Sequence, residues 1–147
     1  MQDFGAIEDV LDFAIKREID AYDFYNKLTV LAKKPDVSKE LEFFAEDELE
    51  HRKKLESVKS GEINLEDDEI GSLGIAEKVK NVEATPEMTY VDLLVIGMKK
   101  EKDSFQLYKQ LASKVRKSQL KDMFQQMARE EAQHKLTLEI EYDLTTF

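Results

Sequence analysis

The sequence predicts an all-α protein, a four-helix bundle made of two repeated helical hairpins joined by a long crossover. Only five glycines and two prolines occur in 147 residues, and 37% of the residues are charged. Apolar residues recur at the three- and four-residue spacing of amphipathic helices. One pattern of residues also occurs twice, 83 positions apart. A chain of this length is expected to form one domain, 1–147, with a core of ordinary size.

The first hairpin joins a helix predicted over about 3–34 to a second over about 37–60. Pro35 ends the first helix, because proline disfavours helical conformation in the residue before it. Gly61 is a suitable stop for the second helix. The inner face of the first helix is expected to be Val10, Leu11, Ala14, Ile15, Glu18, Tyr22, Tyr25 and Leu28. That of the second is expected to be Leu41, Phe44, Ala45, Glu48, His51, Leu55 and Val58.

The second hairpin begins near Thr85-Pro86, a good N-cap followed by proline at the first helical position. The inner face of the third helix, which starts there, is expected to be Leu94, Gly97, Met98, Glu101, Phe105, Tyr108 and Leu111. The fourth helix, predicted over about 118–142, would turn inward Phe124, Met127, Ala128, Glu131, His134 and Leu138. Phe43 and Met123 are also expected in the core.

The hairpins are joined by an acidic segment, 61–84, which we interpret as a crossover linker. A connection of this length can cross the bundle and make the second and third helices parallel. Residues 72–80 are predicted to form a short helix. Two interpretations of the segment stay open: a passive connector, or a lid or dimer contact.

The repeated pattern contains ligands for metals. Glu18, Tyr25, Glu48 and His51 recur as Glu101, Tyr108, Glu131 and His134, and these two histidines are the only ones in the chain. Each histidine follows a glutamate by three residues, so the two side chains share one helix face. A glutamate on one helix and Glu-x-x-His on the next, given twice, is the ligand set of a carboxylate-bridged dinuclear site. The repeat also predicts a pseudo-two-fold axis between the metals.

Charge balance supports two metal ions. The four glutamates lie in line with apolar residues, and a buried carboxylate is costly unless it is paired or bound to a cation. No lysine or arginine lies on these inner faces. Two divalent ions would neutralise four carboxylates if both histidines are neutral. Oxygen and imidazole ligands without sulfur suit iron or manganese, and also zinc.

Tyr25 and Tyr108 each follow a ligand glutamate by two helical turns, about 10 Å of rise. Since that is too far to reach their own glutamate, we expect each to hydrogen-bond a ligand carboxylate across the bundle. Core packing with the hydroxyl satisfied elsewhere is the alternative. Four other acids are expected on solvated faces: Asp20, Asp103, Glu50 and Glu130.

Composition excludes several classes of function. A net charge of −10 argues against nucleic acid and anionic membranes as partners. No apolar run is long enough to span a bilayer, and the first residues do not resemble a signal peptide, so a cytoplasmic protein is expected. With no cysteine, the chain has no disulfide or iron–sulfur site of its own.

From about residue 7 to 143 the chain resembles the ferritin-like domain of rubrerythrins. The residues that carry the resemblance are Lys16-Arg17-Glu18 to Tyr25, Ala45 to His51, Lys99-Lys100-Glu101 to Tyr108, and Ala128 to His134. The resemblance implies a non-haem di-iron centre, reduction of hydrogen peroxide or dioxygen, and a homodimer. It also implies that Glu48 and Glu131 bridge the metals, that Glu18 and Glu101 are terminal ligands, and that each histidine gives one nitrogen.

Two departures from the family are visible. Full-length rubrerythrins carry a rubredoxin domain with four cysteines, which this chain lacks, so electrons are expected from a separate donor such as a rubredoxin-like protein. Peroxide-reducing members tend to have an extra carboxylate ligand on the third helix, one turn from the first. Here the positions one turn from Glu101 are Gly97, Met98, Ser104 and Phe105.

Three functions are therefore compatible with the sequence. The first is a di-iron oxidoreductase, in which the four glutamates act through the metals. The second is a ferroxidase or iron-handling protein, and the third is a non-catalytic metal-binding bundle. The sequence leaves open the native metal, and whether the hairpins pair within one chain or exchange between two.

Overall fold

The computed structural model describes residues 3–4, 7–61, 75–76, 84–85 and 87–147 of the protein. Within them lie four long helices: α1 (Ile7–Leu31), α2 (Pro35–Lys59), α3 (Tyr90–Lys114) and α4 (Ser118–Thr146). Helix α1 packs mainly on α2, and α3 on α4, so the chain forms two hairpins. The predicted ferritin-like four-helix bundle is confirmed. A two-residue antiparallel strand pair, β1 (Asp3–Phe4) with β2 (Ile75–Ala76), accompanies the helices.

The repeat extends to the boundaries of the helices. Helices α1 and α3 are both 25 residues long, and each begins and ends 83 positions from the other. Helices α2 and α4 also begin 83 positions apart, after turns of three residues. The duplication therefore determines where helices start and stop, as well as which residues face inward.

Several predicted boundaries are wrong. The first helix does not begin at Asp3, which belongs to β1, and it ends at Leu31. Pro35 is the first residue of α2, where its missing N–H costs nothing. Of the short helix predicted over 72–80, Ile75–Ala76 form β2 and the other positions lie outside the described residues. Gly61, with φ of 87°, does follow the end of α2 as expected.

The third helix begins later than predicted. Its N-cap is Thr89 rather than Thr85, and Pro86 lies outside the described residues. The Thr89 side chain accepts a hydrogen bond from the Asp92 amide at 3.1 Å, and the Asp92 carboxylate accepts one from the Thr89 amide at 3.1 Å. This capping box satisfies two amides at once, which an isolated threonine does not do.

Two apolar clusters lie along the bundle, one containing Leu11, Leu55, Leu111 and Phe124, the other Leu28, Leu41, Leu94 and Leu138. All the inward residues predicted for the second and fourth helices are buried. Ile15, Tyr22, Met98, Phe105 and Met123 are only half-buried, and Phe43 is 53% exposed, so its assignment to the core is wrong. The buried residues that the prediction missed are Phe24, Leu93, Ile96, Ser104, Leu107, Ala112, Val115, Leu120 and Glu141.

Candidate metal centre

The structure brings together the six predicted ligands, one from α1, two from α2, one from α3 and two from α4. All six are buried: Glu18, Glu48, His51, Glu101, Glu131 and His134. They form two groups whose potential ligand atoms lie within 4.8 Å of one another. Glu18 and His51 belong to one group and Glu101 and His134 to the other, whereas Glu48 and Glu131 belong to both. This arrangement is that of two adjacent cation positions with two carboxylates between them.

The distances around the histidines show the same sharing. His51 Nδ1 lies 3.3 Å from Glu131 Oε1 and 3.6 Å from Glu48 Oε1. His134 Nδ1 lies 3.3 Å from Glu48 Oε1 and 3.6 Å from Glu131 Oε1. Each imidazole therefore approaches the glutamate of the opposite hairpin more closely than the one on its own helix.

The donor atoms fit two metal ions. Eight buried atoms of these side chains make no hydrogen bond: Glu18 Oε2, both oxygens of Glu48, His51 Nδ1, Glu101 Oε2, both oxygens of Glu131, and His134 Nδ1. An unsatisfied buried polar atom costs about 1–3 kcal/mol. Eight such atoms without a bound cation would therefore cancel much of the free energy of unfolding of an ordinary domain. One Nδ1, one terminal oxygen and one oxygen from each shared glutamate give four donors to each position. Oxygen and nitrogen donors of this kind suit iron, manganese or zinc.

The two tyrosines hold the terminal glutamates from the opposite hairpin. Tyr25 donates a hydrogen bond to Glu101 Oε1 at 2.6 Å, and Tyr108 donates one to Glu18 Oε1 at 2.5 Å. In each case the other carboxylate oxygen is the one left without a partner. The hydroxyls thus orient one oxygen of each glutamate toward the shared space.

Two further carboxylates, which sequence reasoning did not select, hold the histidines from behind. His51 Nε2 lies 3.0 Å from Glu130 Oε2, and His134 Nε2 lies 2.9 Å from Asp47 Oδ2. An ionised carboxylate only accepts, so Nε2 is the donor and Nδ1 is left to bind a cation. Asp47 and Glu130 are 46% and 27% exposed.

The expectation that Glu130 is solvated is therefore wrong, since it contacts a buried histidine. A signal for both residues was present in the sequence: each immediately precedes a shared glutamate, and the two are 83 positions apart. The other expected surface acids differ. Glu50 is exposed, whereas Asp20 and Asp103 are half-buried, and Asp20 pairs with Lys16 at 2.7 Å.

Without metal, the cluster retains protons. Burial, followed by repulsion from Glu131, raises the pKa of Glu18 and raises that of Glu101 to about 8. The same two causes raise the pKa of Glu48 well above its ordinary range, whereas Glu131 stays ionised between the histidines.

The histidines hold their protons as well. Burial alone would lower the pKa of His51, but the carboxylates of Glu130, Glu131 and Glu18 raise it to about 12. Burial would also lower the pKa of His134, but the carboxylates of Asp47 and Glu101 raise it to about 10. Cations that bind here must displace these protons.

Comparison with known proteins agrees with this geometry. The sequence model of the rubrerythrin family matches residues 9–142. A solved structure of a hypothetical protein from Pyrococcus furiosus is similar, with a TM-score of 0.74 and 26% sequence identity, covering 95% of this chain and 89% of that one. No functionally curated protein matches the chain. No helix in the described ranges is both long and apolar enough to cross a membrane. The family match covers nearly the whole chain, and the chain therefore belongs to the rubrerythrin family, with buried glutamates and histidines that form a metal-binding site.

Proposed function

We propose that the protein is a non-haem di-iron oxidoreductase, which reduces hydrogen peroxide or dioxygen with electrons from a separate donor protein. The observation that carries the proposal is the set of eight unpartnered donor atoms, divided between two adjacent positions that share Glu48 and Glu131. A pair of ferrous ions bound there would supply Lewis acidity and one electron each, which matches the two-electron reduction of peroxide.

The protein's own residues would define the geometry of that reaction. Glu48 and Glu131 hold the two positions together, and the histidines present Nδ1 because their Nε2 atoms are engaged by Asp47 and Glu130. The apolar clusters along the bundle limit the access of water. Reduction of one hydrogen peroxide to two waters consumes two electrons and two protons. Since the chain has no cysteine for an iron–sulfur site, the electrons must be delivered from outside it.

The first test is metal content and turnover of the Glu48→Ala variant. Because Glu48 contributes to both groups, we expect it to lose both ions and all peroxide reduction. Glu50→Ala is the matched control, since Glu50 lies on the same helix but is exposed. Iron per chain is measured by elemental analysis, and peroxide consumption is followed with a chemical reductant. About two irons per wild-type chain are expected. Retained turnover in Glu48→Ala would contradict the proposal.

One observation favours a second candidate, a ferroxidase or iron-handling protein. Helix α3 supplies no carboxylate to the site other than Glu101. A Cβ at Gly97 would lie 2.9 Å from Leu138 Cδ1, and the Ser104 hydroxyl accepts a hydrogen bond from Arg17 at 3.3 Å. At two of the positions where peroxide-reducing relatives tend to have an additional ligand, Gly97 is closely packed and Ser104 is hydrogen-bonded to Arg17.

Light scattering separates the two candidates, because storage of iron requires a multi-subunit shell. We propose a homodimer, which excludes a cage. A large hollow assembly that takes up many irons per chain would favour iron handling instead. Oxidation of ferrous iron without peroxide reduction would also favour it.

A further inference from the structure

The charges of this chain are distributed unevenly. Although the net charge is −10, residues 99–121 contain eight lysines and arginines and only two acids. One of those acids, Glu101, is buried in the metal-binding site and is absent from the surface. The end of the second hairpin is therefore basic in an otherwise acidic protein.

Three of the basic residues in the second hairpin surround an apolar groove of about 540 Å³ between α3 and α4. Its lining includes apolar Phe105, Ala112 and Ala128, and the cations Lys109, Lys121 and Arg129. Lys109 lies over the Phe105 ring at 5.8 Å, and Arg129 donates to the neutral Gln126 at 2.7 Å. Across the described part of the chain, none of these three cations forms an ion pair with an acid. Their charge is available to an external partner.

The internal repeat provides a comparison within the same molecule. The residues 83 positions before Lys109, Lys121 and Arg129 are Asn26, Ser38 and Glu46. The first hairpin thus folds in the same way without a positive charge at any of these positions. The cations of the groove are not a requirement of the hairpin, so a different reason for them is needed.

The groove also lies close to the metal-binding site. Phe105 follows Glu101 by four residues on α3, and Ala128 precedes Glu131 by three on α4. These spacings correspond to roughly 6 and 4.5 Å along the helix axes. A molecule seated in the groove would be about one helical turn from a ligand on each helix.

We propose that this basic groove is the docking surface for an acidic one-electron donor protein, an inference that rests on the proposed oxidoreductase function. Positive rim charges steer a negative partner and set its association rate, and the apolar floor receives one of its apolar side chains. A long polyanion such as nucleic acid would be repelled by the remaining acidic surface. Each encounter oxidises the donor by one electron. Two encounters supply the two electrons that, with two protons, convert one hydrogen peroxide to two waters.

The test is a binding measurement that requires no turnover. The probe is a purified, negatively charged rubredoxin with zinc in place of iron, titrated into the metal-loaded protein at low and high salt. The variant Lys109→Asn/Lys121→Ser/Arg129→Glu gives the groove the residues of the first hairpin. We expect the Kd of this groove variant to be at least about tenfold higher than the wild-type Kd at low salt, with little difference at high salt.

A control with the same change in charge is Lys39→Asn/Lys53→Ser/Lys33→Glu, at exposed positions outside the groove. We expect its Kd to stay within about twofold of the wild-type value. Equal weakening in both variants, no weakening in the groove variant, or no binding by the wild type would each overturn the proposal. It would also be overturned if a DNA duplex competed with rubredoxin for the groove and bound more tightly.

The two proposals fail in distinguishable ways. Peroxide reduction driven by dithionite does not need the donor, so the groove variant should retain its iron and this activity. If the wild type lacks dithionite-driven reduction, the proposed function fails while the binding result stands. If dithionite-driven reduction is normal but the groove variant binds rubredoxin with the wild-type Kd, only the docking proposal fails.

Discussion

At the scale of single residues, the two halves of the metal site are similar in their ligands but differ in their surroundings. The Phe44 ring stacks on His134 with centroids 4.1 Å apart, whereas the repeat places Met127 at the position equivalent to Phe44. Tyr25 contacts His134 edge-on at 5.8 Å, and Tyr108 contacts His51 at 6.1 Å. The two halves therefore share the spacing of their ligands but differ in the packing around each imidazole. For this reason we expect the two metal positions to differ in metal affinity.

The acids behind the histidines should control metal affinity. Asp47→Ala removes the acceptor for the Nε2–H of His134, and Glu130→Ala removes the one for His51. The imidazole is then no longer held in one orientation, and Nδ1 is no longer favoured as the nitrogen that binds the metal. We expect each variant to bind metal about 10–100-fold more weakly. Competition with a chelator of known affinity measures the change, and Glu46→Ala, at an exposed neighbouring position, is the control. Unchanged affinity in both variants would show that the ligand geometry is set by packing alone.

The tyrosine hydroxyls should contribute to stability. Tyr108→Phe leaves Glu18 Oε1 buried without a partner, and Tyr25→Phe does the same to Glu101 Oε1. We expect each change to lower the free energy of unfolding by about 1–3 kcal/mol. Chemical denaturation measures it. Tyr22→Phe is the control, because this half-buried tyrosine has no hydrogen bond to the described residues. Equal effects of all three changes would argue against the hydrogen bonds as the cause.

At the scale of elements, the ends of the helices are set by local chemistry. Helix α3 begins after Thr89 because Asp92 completes a capping box, whereas the residue three positions after Thr85 is Met88. At the far end of the bundle, Glu141 of α4 accepts hydrogen bonds from Tyr90 of α3 at 2.8 Å and from Lys34, before α2, at 3.1 Å. A buried carboxylate here joins three elements with no need for a metal.

The cap of α3 gives a test of this assignment. Thr89→Ala should lower the free energy of unfolding by about 1 kcal/mol, because the Asp92 amide loses the Thr89 hydroxyl that accepts its hydrogen bond. For a domain of this size, that corresponds to a fall in Tm of roughly 2–4 °C. Thr85→Ala, at the start predicted from the sequence, should change Tm by less than half as much. The reverse order of the two effects would place the functional cap at Thr85.

At the scale of the whole molecule, the bundle places four carboxylates and two imidazoles in one interior. The apolar clusters stabilise the bundle, and the buried acids oppose that stabilisation until cations bind. The net charge of −10 adds a weak general attraction for cations. Folding and metal binding are therefore expected to be coupled.

The stability of the metal-free protein should fall as pH rises. The Glu101 carboxyl would ionise near 4.5 in the unfolded chain but near 8 in the folded one, so its contribution to stability declines between these values. His51 and His134 act in the same direction, because their ordinary pKa of 6.5 is raised to about 12 and about 10. Their contribution is complete below pH 6.5 and declines above it.

Two measurements check this pH dependence. The Tm of chelated protein should be lower at pH 8 than at pH 5, and metal loading should restore more stability at pH 8. Loading in weakly buffered solution should also release protons. Glu101→Gln is the control, since it removes one of the titrating groups and should flatten the profile. A metal-free Tm that rises from pH 5 to pH 8 would contradict the assigned pKa shifts.

The sequence by itself determined the helical bundle, its two hairpins and the six residues that converge at its centre. It could do so because helix periodicity and an exact 83-residue repeat are local patterns, and because buried acids and histidines stand out among apolar neighbours. The start of α3 could also have been read from Thr89 and Asp92. The sequence also led us to expect hydrogen bonds from Tyr25 and Tyr108 across the bundle, but only the tertiary structure decided that their partners are Glu101 and Glu18. Only the tertiary structure showed that Asp47 and Glu130 hold the histidines. Those facts depend on how four helices are rotated and packed against one another, which no single helix encodes.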